Sequence, residues 1–74
     1  MMFVTEIERK EYGLWFVKEE VCAYQTEDPS WLIGQAKRWL LRRDERICVR
    51  KIEDNADWNQ EDYPDYVNVF VKEG

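Results

Sequence analysis

The stretch DPSWLIGQAKRWLLRR, residues 28–43, is the segment that most constrains this 74-residue chain, because it carries start, face and end signals of one helix. Asp28 can cap a helix, and Pro29 suits the first helical position, where no N–H is needed. At about 100° per residue, one side of that helix collects the apolar residues: Leu32, Ile33, Ala36, Trp39 and Leu40. The sequence therefore predicts a helix over residues 29–43 with this side buried.

Segments on both sides of the helix show the period-two alternation that is typical of strands. It is visible at the N-terminus, where Phe3, Thr5 and Ile7 oppose Met2, Val4 and Glu6, and again in RICVRKIE (46–53) and YVNVFVK (66–72). Residues 13–25 fit both a strand and a helical face. Their β-branched and aromatic content, together with a turn at Gly13, favours a strand, although KEE (18–20) is expected to turn or bulge.

These patterns predict an α+β fold in a single domain, residues 1–74. We expect a small antiparallel sheet of four or five strands with one helix packed on one face, in the order β-β-(β)-α-β-β. In so short a chain, the entropic cost of ordering nearly cancels the free energy gained by burying the core. Eleven aromatic residues supply large burial per side chain, and a homodimer on the open face of the sheet would bury more surface.

Charge is unevenly distributed along the chain. Residues 37–51 contain seven Lys or Arg against two acidic residues, whereas the rest contains four basic and fourteen acidic residues, for a net charge of −5. This asymmetry bears on partners and on steering rather than on fold.

The chain lacks residues that several kinds of catalytic, phosphate-binding and metal site require. The chain has no His and only one Ser, and its three glycines at 13, 34 and 74 make no phosphate-binding loop. Two cysteines without His cannot close a tetrahedral zinc site. We therefore expect no enzymatic activity, no cofactor and no metal. With no leader and no long apolar run, we expect a cytoplasmic protein without a membrane partner, and we expect Cys22 and Cys48 to be reduced.

The acidic segment, EDNADWNQEDYPDY (53–66), has six carboxylates, three aromatics and no Lys or Arg. Carboxylates on a scaffold can occupy a phosphate-binding groove, and aromatics anchor interfaces while charge steers the encounter. The candidate partner-binding residues are Asp54, Asp57, Trp58, Glu61, Asp62 and Asp65. The plain alternative is a solvated connection between two strands.

A calcium loop is a poor match for the acidic segment. Counting from Asp57, Asn59 and Glu61 fall at ligand positions 3 and 5. However, Asp62 replaces the glycine needed at position 6, and Asn68 replaces the bidentate glutamate at position 12. The sequence therefore predicts that calcium does not bind.

The outer side of the predicted helix offers a second surface, made of Trp31, Gln35, Arg38 and Arg42. An aromatic followed by arginines can meet phosphates and stack on bases, although charge on a helix's outer face is also ordinary. We expect a non-enzymatic protein-binding module, a regulator or inhibitor that presents its acidic surface to a basic partner. The alternative is a nucleic-acid-associated protein that uses this helix face, which the net negative charge disfavours.

Overall fold

The computed structural model describes residues 1–52 and 66–74. Within them the chain forms one helix and a four-stranded antiparallel sheet of order β2-β1-β3-β4. The elements in chain order are β1 (Met2–Glu11), β2 (Leu14–Gln25), α1 (Ser30–Lys37), β3 (Glu45–Ile52) and β4 (Tyr66–Glu73). The α+β prediction is confirmed. The described residues do not form the optional extra strand, and the helix lies between β2 and β3.

Residues 14–25 form one strand, as their β-favouring composition predicts. A two-residue turn, Tyr12-Gly13, joins this strand to β1, with Glu11 opposite Leu14. Both turn residues have positive φ, +54° at Tyr12 and +78° at Gly13, which is the backbone that matches the twist of a tight hairpin. Glycine adopts this conformation freely, whereas Tyr12 adopts it against a steric cost.

Strand β2 bulges twice in the KEE region. Its register against β1 shifts between the pairs Thr5–Cys22 and Glu6–Glu20, and again between Ile7–Glu19 and Glu8–Val17. Val21 and Lys18 are therefore the extra residues of two bulges, which bend an edge strand and interrupt its regular pairing.

Helix α1 is shorter than residues 29–43, so that prediction is wrong at its C-terminal end. At the start the helix begins one residue later than predicted, at Ser30, and Pro29 rather than Asp28 occupies the N-cap position; Asp28 Oδ1 accepts the Ser30 N–H at 3.0 Å. At the end, the N–H of Trp39 bonds three residues back to Ala36 O, which tightens the final turn. Lys72 Nζ then donates to Lys37 O at 2.8 Å and to Trp39 O at 3.0 Å. The ammonium group of Lys72, from β4, therefore caps the C-terminal end of the helix.

The core lies between α1 and one face of the sheet. Its buried members are Phe3, Ile7, Leu32, Ala36, Ile47 and Val49. Of the predicted helix face, Leu32 and Ala36 are fully buried, and Ile33 and Trp39 are partly buried. Leu40 is 95% exposed, which corrects the expectation of burial. It lies three residues past the last helical residue, where helical spacing no longer applies.

Strand β4 pairs with β3 but breaks its alternation at Val69. The register places Phe70 opposite Val49 and Asn68 opposite Arg50, so Val69 is the bulged residue. Phe70 packs against the core, while Val67 and Val71 are exposed. No helix in residues 1–52 and 66–74 has the length and hydrophobicity to cross a membrane.

Candidate functional site

Four charged side chains from β1 and β3 meet on the face of the sheet opposite α1. This ion-pair layer consists of Glu6, Glu8, Arg46 and Arg50. Arg50 Nη1 donates to Glu6 Oε1 at 2.9 Å, and its Nη2 donates to Glu8 Oε1 at 2.8 Å. Arg46 Nε donates to that same oxygen of Glu8 at 2.8 Å. Because two carboxylates meet two guanidinium groups, the layer is neutral as a whole.

Glu8 is the centre of this layer. Its Oε1 also accepts the Sγ–H of Cys48 at 3.3 Å, so one oxygen takes three donors. Burial acts to raise the pKa of Glu8, but the hydrogen bonds from Arg46 and Cys48, with the charges of Arg50 and Arg46, outweigh it and lower that pKa. The carboxylate therefore stays ionised at neutral pH.

Cys48 is held as a neutral thiol. Burial, reinforced by its hydrogen bond to Glu8, raises the pKa of Cys48 to about 11. The thiolate is the reactive form of cysteine, so this side chain is inert at neutral pH. Cys22 and Cys48 are both free thiols.

The ion-pair layer reaches both edge strands of the sheet. On β2, the Trp15 ring centroid lies 4.4 Å from the guanidinium carbon of Arg46 and 5.8 Å from Lys10 Nζ. Both distances fall within the range of cation–π attraction. On β4, Asn68 Oδ1 accepts Arg50 Nε at 2.9 Å. One polar network thus ties all four strands together on the face that α1 does not cover.

This network orients strands and does not present an activated group. A general acid working near neutral pH needs a raised carboxyl pKa, whereas the pKa of Glu8 is lowered. Within residues 1–52 and 66–74, no three His, Cys, Asp or Glu side chains lie together as a metal site would require. The calcium prediction rests mainly on residues 57–62, which lie outside the described part of the chain.

The six candidate residues of the acidic segment also lie outside the described residues: Asp54, Asp57, Trp58, Glu61, Asp62 and Asp65. The sheet fixes where the chain enters and leaves this stretch, because Ile52 at the end of β3 pairs with Tyr66 at the start of β4. Met2 pairs with Ile52 and with Gln25 at the same end of the sheet. The acidic segment therefore begins and ends at one end of the sheet, which we call the acidic end.

The four residues of the predicted helix stripe do not form one helical surface. Trp31 is 49% exposed and meets Tyr24 edge-on, with ring centroids 5.1 Å apart. Gln35 lies one turn further along, but its Oε1 is buried and accepts no hydrogen bond from residues 1–52 or 66–74. Arg38 caps the helix. Arg42 follows it, and its backbone N–H donates to Glu45 Oε1 at 2.8 Å.

Exposed cations gather at the opposite end of the sheet, which we call the basic end. Lys72, which closes the helix C-terminus, pairs with Ile47 near the start of β3. The exposed basic residues at this end are Arg9, Lys10, Lys37, Arg38, Arg42 and Arg43. Glu27 and Asp28 are exposed before α1 begins, near the acidic end. Strand β3 runs from one end to the other, a distance of about 23 Å for its eight residues.

The sequence reasoning missed two features of this surface. One is the ion-pair layer. The sequence does indicate it, because two acidic residues spaced two apart in β1 and two arginines spaced four apart in β3 each fall on one face of their strand. The other is the outer edge of β2, where Leu14, Phe16 and Val17 are 62%, 50% and 54% exposed. Phe16 and Val17 favour a strand, but strand propensity does not distinguish an edge from a central strand.

In comparisons with known proteins, no family model, no curated protein and no solved structure matches the chain.

Proposed function

We propose that the protein is a non-enzymatic binding module, a regulator or inhibitor that presents an acidic, aromatic-bearing surface to a basic protein partner. The observation that carries this proposal is that Ile52 and Tyr66, where the chain enters and leaves the acidic segment, lie at the end of the sheet opposite the exposed basic residues. The acidic segment starts and finishes at Ile52 and Tyr66, about 23 Å from the turn that bears Arg42 and Arg43.

Internal pairing supports the same proposal. The sequence concentrates its basic residues between 37 and 51, yet Arg46 and Arg50 are bonded to Glu6 and Glu8 inside the fold. Two of the seven cations in that stretch are thereby neutralised, so fewer free positive charges remain to balance the acidic segment than the sequence suggests. Its interleaved Trp58 and Tyr63 supply the aromatic anchors that interfaces use. The two free cysteines suit a reducing compartment, and a cytoplasmic location is part of this proposal.

The test is affinity purification from the source cell, with the chain immobilised and retained proteins quantified across a salt series. We expect basic proteins to be retained, with association that slows as salt rises. Reversing the charge at Asp57, Glu61 and Asp62 should abolish this retention, and Trp58→Ala should speed dissociation. The matched control is the pair Arg38→Ala and Arg42→Ala, which alters exposed charge at the opposite end. Retention that is insensitive to the three reversals would refute the proposal.

A nucleic-acid-associated protein is the second candidate, and one observation favours it. Arg38, Arg42 and Arg43 are exposed at the basic end, and none forms an ion pair with any residue of the described part of the chain. Guanidinium groups of this kind suit phosphate contacts. Trp31 supplies an exposed ring on the same helix, about 10 Å from Arg38 along the axis.

The two candidates predict opposite responses to the same variants. If the protein binds nucleic acid, a fluorescent single strand should bind with steep salt dependence. Arg38→Ala with Arg42→Ala should weaken that binding, Trp31→Ala should weaken it further, and the three charge reversals in the acidic segment should strengthen it. If a single strand does not bind at low salt, this candidate is wrong.

A further inference from the structure

We propose that the chain forms a two-fold symmetric homodimer in which the outer edge of β4 pairs antiparallel with the same edge of a second copy. This inference goes beyond the proposed function and does not depend on it. The face of the sheet that α1 leaves open carries the ion-pair layer, whose charges already bond to one another. A strand edge therefore suits a second copy better than that face, because edge pairing joins the two sheets through main-chain hydrogen bonds.

The first observation is the composition of this edge. Strand β4 ends the sheet, with β3 on one side and no described strand on the other. Residues 67–71, VNVFV, contain no charge and no proline, which are common means of protecting an edge from another chain. Val67, Val69 and Val71 are exposed. Lys72 donates to the carbonyls at the end of α1, so its ammonium group is directed to the helix and does not protect the edge.

The second observation is which main-chain groups of β4 point away from β3. The N–H of Gly74 bonds to Glu45 O, so alternate residues of the two strands face each other from that pair as far as the bulge at Val69. Beyond the bulge, Val67 faces β3, because it pairs with Lys51, which faces β4 by the same alternation. The N–H and C=O groups that point outward therefore belong to four residues of the strand: Tyr66, Asn68, Val71 and Glu73.

These four residues are arranged symmetrically about the bulge. A two-fold axis at the midpoint of β4 places Tyr66 opposite Glu73 of the second copy. The same axis places Asn68 opposite Val71. Both members of each pair direct their N–H and C=O groups outward, so each pair can exchange two hydrogen bonds. In a regular strand this register would set an outward residue against an inward one, so the bulge makes the edge self-complementary.

Charge distinguishes this edge from the other edge of the sheet. In the β4 register, Lys72 lies opposite Val67 of the second copy and Glu73 lies opposite Tyr66, so no residue pair opposes like charges. Strand β2 also ends the sheet, and its outward residues are symmetric about residue 20. A two-fold pairing of β2 therefore places Glu20 directly opposite Glu20 of the second copy, which is destabilising. Strand β4 is thus the edge that accepts a second copy.

Sedimentation equilibrium measures the dissociation constant of the dimer for the native chain and for each variant. We expect the native chain to approach twice the mass of one chain as its concentration rises from micromolar to millimolar. Val67→Lys sets a lysine opposite Lys72 of the second copy, twice in each dimer, and should weaken the dimer about tenfold. The matched variant Val67→Glu sets a carboxylate opposite the same ammonium group. It should stay within about twofold of the native chain, although it makes the net charge of −5 more negative.

A second pair of variants tests the main-chain pairing. Val71→Pro removes an N–H that points to the second copy and should weaken the dimer by about tenfold or more. Val71→Thr keeps this N–H and should stay within about twofold. Circular dichroism confirms that each variant is folded. In a mixture of ¹³C-labelled and unlabelled native chains, an isotope-filtered NOE should connect the Hα of Val67 with the Hα of Lys72 of the second copy, because residues opposed in this way lie close together.

Three outcomes would overturn the proposal: a native chain that stays monomeric at millimolar concentration, equal weakening by Val67→Lys and Val67→Glu, or a dimer that Val71→Pro leaves unchanged. The first would show that a second copy does not occupy the edge. The second and third would show that the copies meet in another register or at another surface. The test of the proposed function uses residues outside β4, so the result of either experiment stands without the other.

Discussion

Replacing Glu8 by glutamine should destabilise the fold through charge alone. The substitution keeps the shape of a side chain that is 7% exposed, but it removes the negative charge on which Arg46, Arg50 and Cys48 converge. Breaking a buried ion pair costs about 3–5 kcal/mol when the partner is left unpaired. Here the cost should be lower, because Arg50 keeps Glu6 and Asn68 within 2.9 Å and Arg46 is 20% exposed.

We therefore expect Glu8→Gln to lower the free energy of unfolding by about 2–3 kcal/mol at pH 7, consistent with the loss of charged hydrogen bonds worth about 1.5–3 kcal/mol each. For a chain of this length, that loss corresponds to a melting temperature about 10–20 °C lower. Urea unfolding followed by tryptophan fluorescence gives the free energy, and circular dichroism gives the melting temperature.

The pH dependence identifies charge as the cause. Because the folded-state pKa of Glu8 is lowered, its ionisation stabilises the fold above the unfolded-state pKa of about 4.3, and this contribution disappears as pH falls through the folded-state value. The difference between the native chain and Glu8→Gln should therefore be largest above about pH 5 and shrink below about pH 4.

The matched control is Glu19→Gln, since Glu19 is exposed and forms no ion pair with a described residue. It should change the free energy of unfolding by no more than about 0.5 kcal/mol. If Glu8→Gln costs no more than this control, the ion-pair layer does not stabilise the fold. If the cost stays constant from pH 7 to pH 3, it arises from packing and the reasoning from charge is wrong.

Three further predictions follow from burial and backbone geometry. Leu32→Ala should lower the free energy of unfolding, measured in urea, by about 3–5 kcal/mol because Leu32 is fully buried. Leu40→Ala, at a side chain that is 95% exposed, should change it by no more than about 0.5 kcal/mol. Equal costs would contradict the observed end of α1. Under native conditions at pH 8, an alkylating reagent should modify Cys22 faster than Cys48, because Cys48 is buried and its pKa of about 11 keeps it protonated. Mass spectrometry of the digested protein measures the order of modification, and faster modification of Cys48 would contradict this reasoning. Tyr12→Gly should raise stability by about 0.5–1 kcal/mol, because Tyr12 is fully exposed with φ of +54° and loses no contact; a lower melting temperature would show that the tyrosine side chain contributes to the fold.

The strands were predictable from sequence because their signal is local. Alternation in β1 and β3 assigned the right residues to each face, and Ile47 and Val49 do pack against the helix. The same local signal also resolved residues 14–25 as a strand.

The end of the helix was not predictable, because its cause is distant in sequence. Residues 38–43 contain good helix formers, so propensity continues the helix past Lys37. The structure ends it there because Lys72, 35 positions away, binds the terminal carbonyls, and because Trp39 and Leu41 leave the helix to pack against the core. The predicted stripe from Trp31 to Arg42 failed for the same reason, since its spacing assumed a continuous helix.

The ion-pair layer fixes which alignments of β1 and β3 the chain can adopt. Successive side chains in a strand point to opposite faces, so sliding β3 by one residue would place Arg46 and Arg50 beneath α1 and turn Ile47 and Val49 outward. That arrangement buries two guanidinium groups against Leu32 and Ala36 without carboxylates to meet them, at a cost of several kcal/mol. Mispaired intermediates of this central strand pair are therefore disfavoured during folding, even though strands β1 and β3 are separated in sequence by a hairpin and a helix.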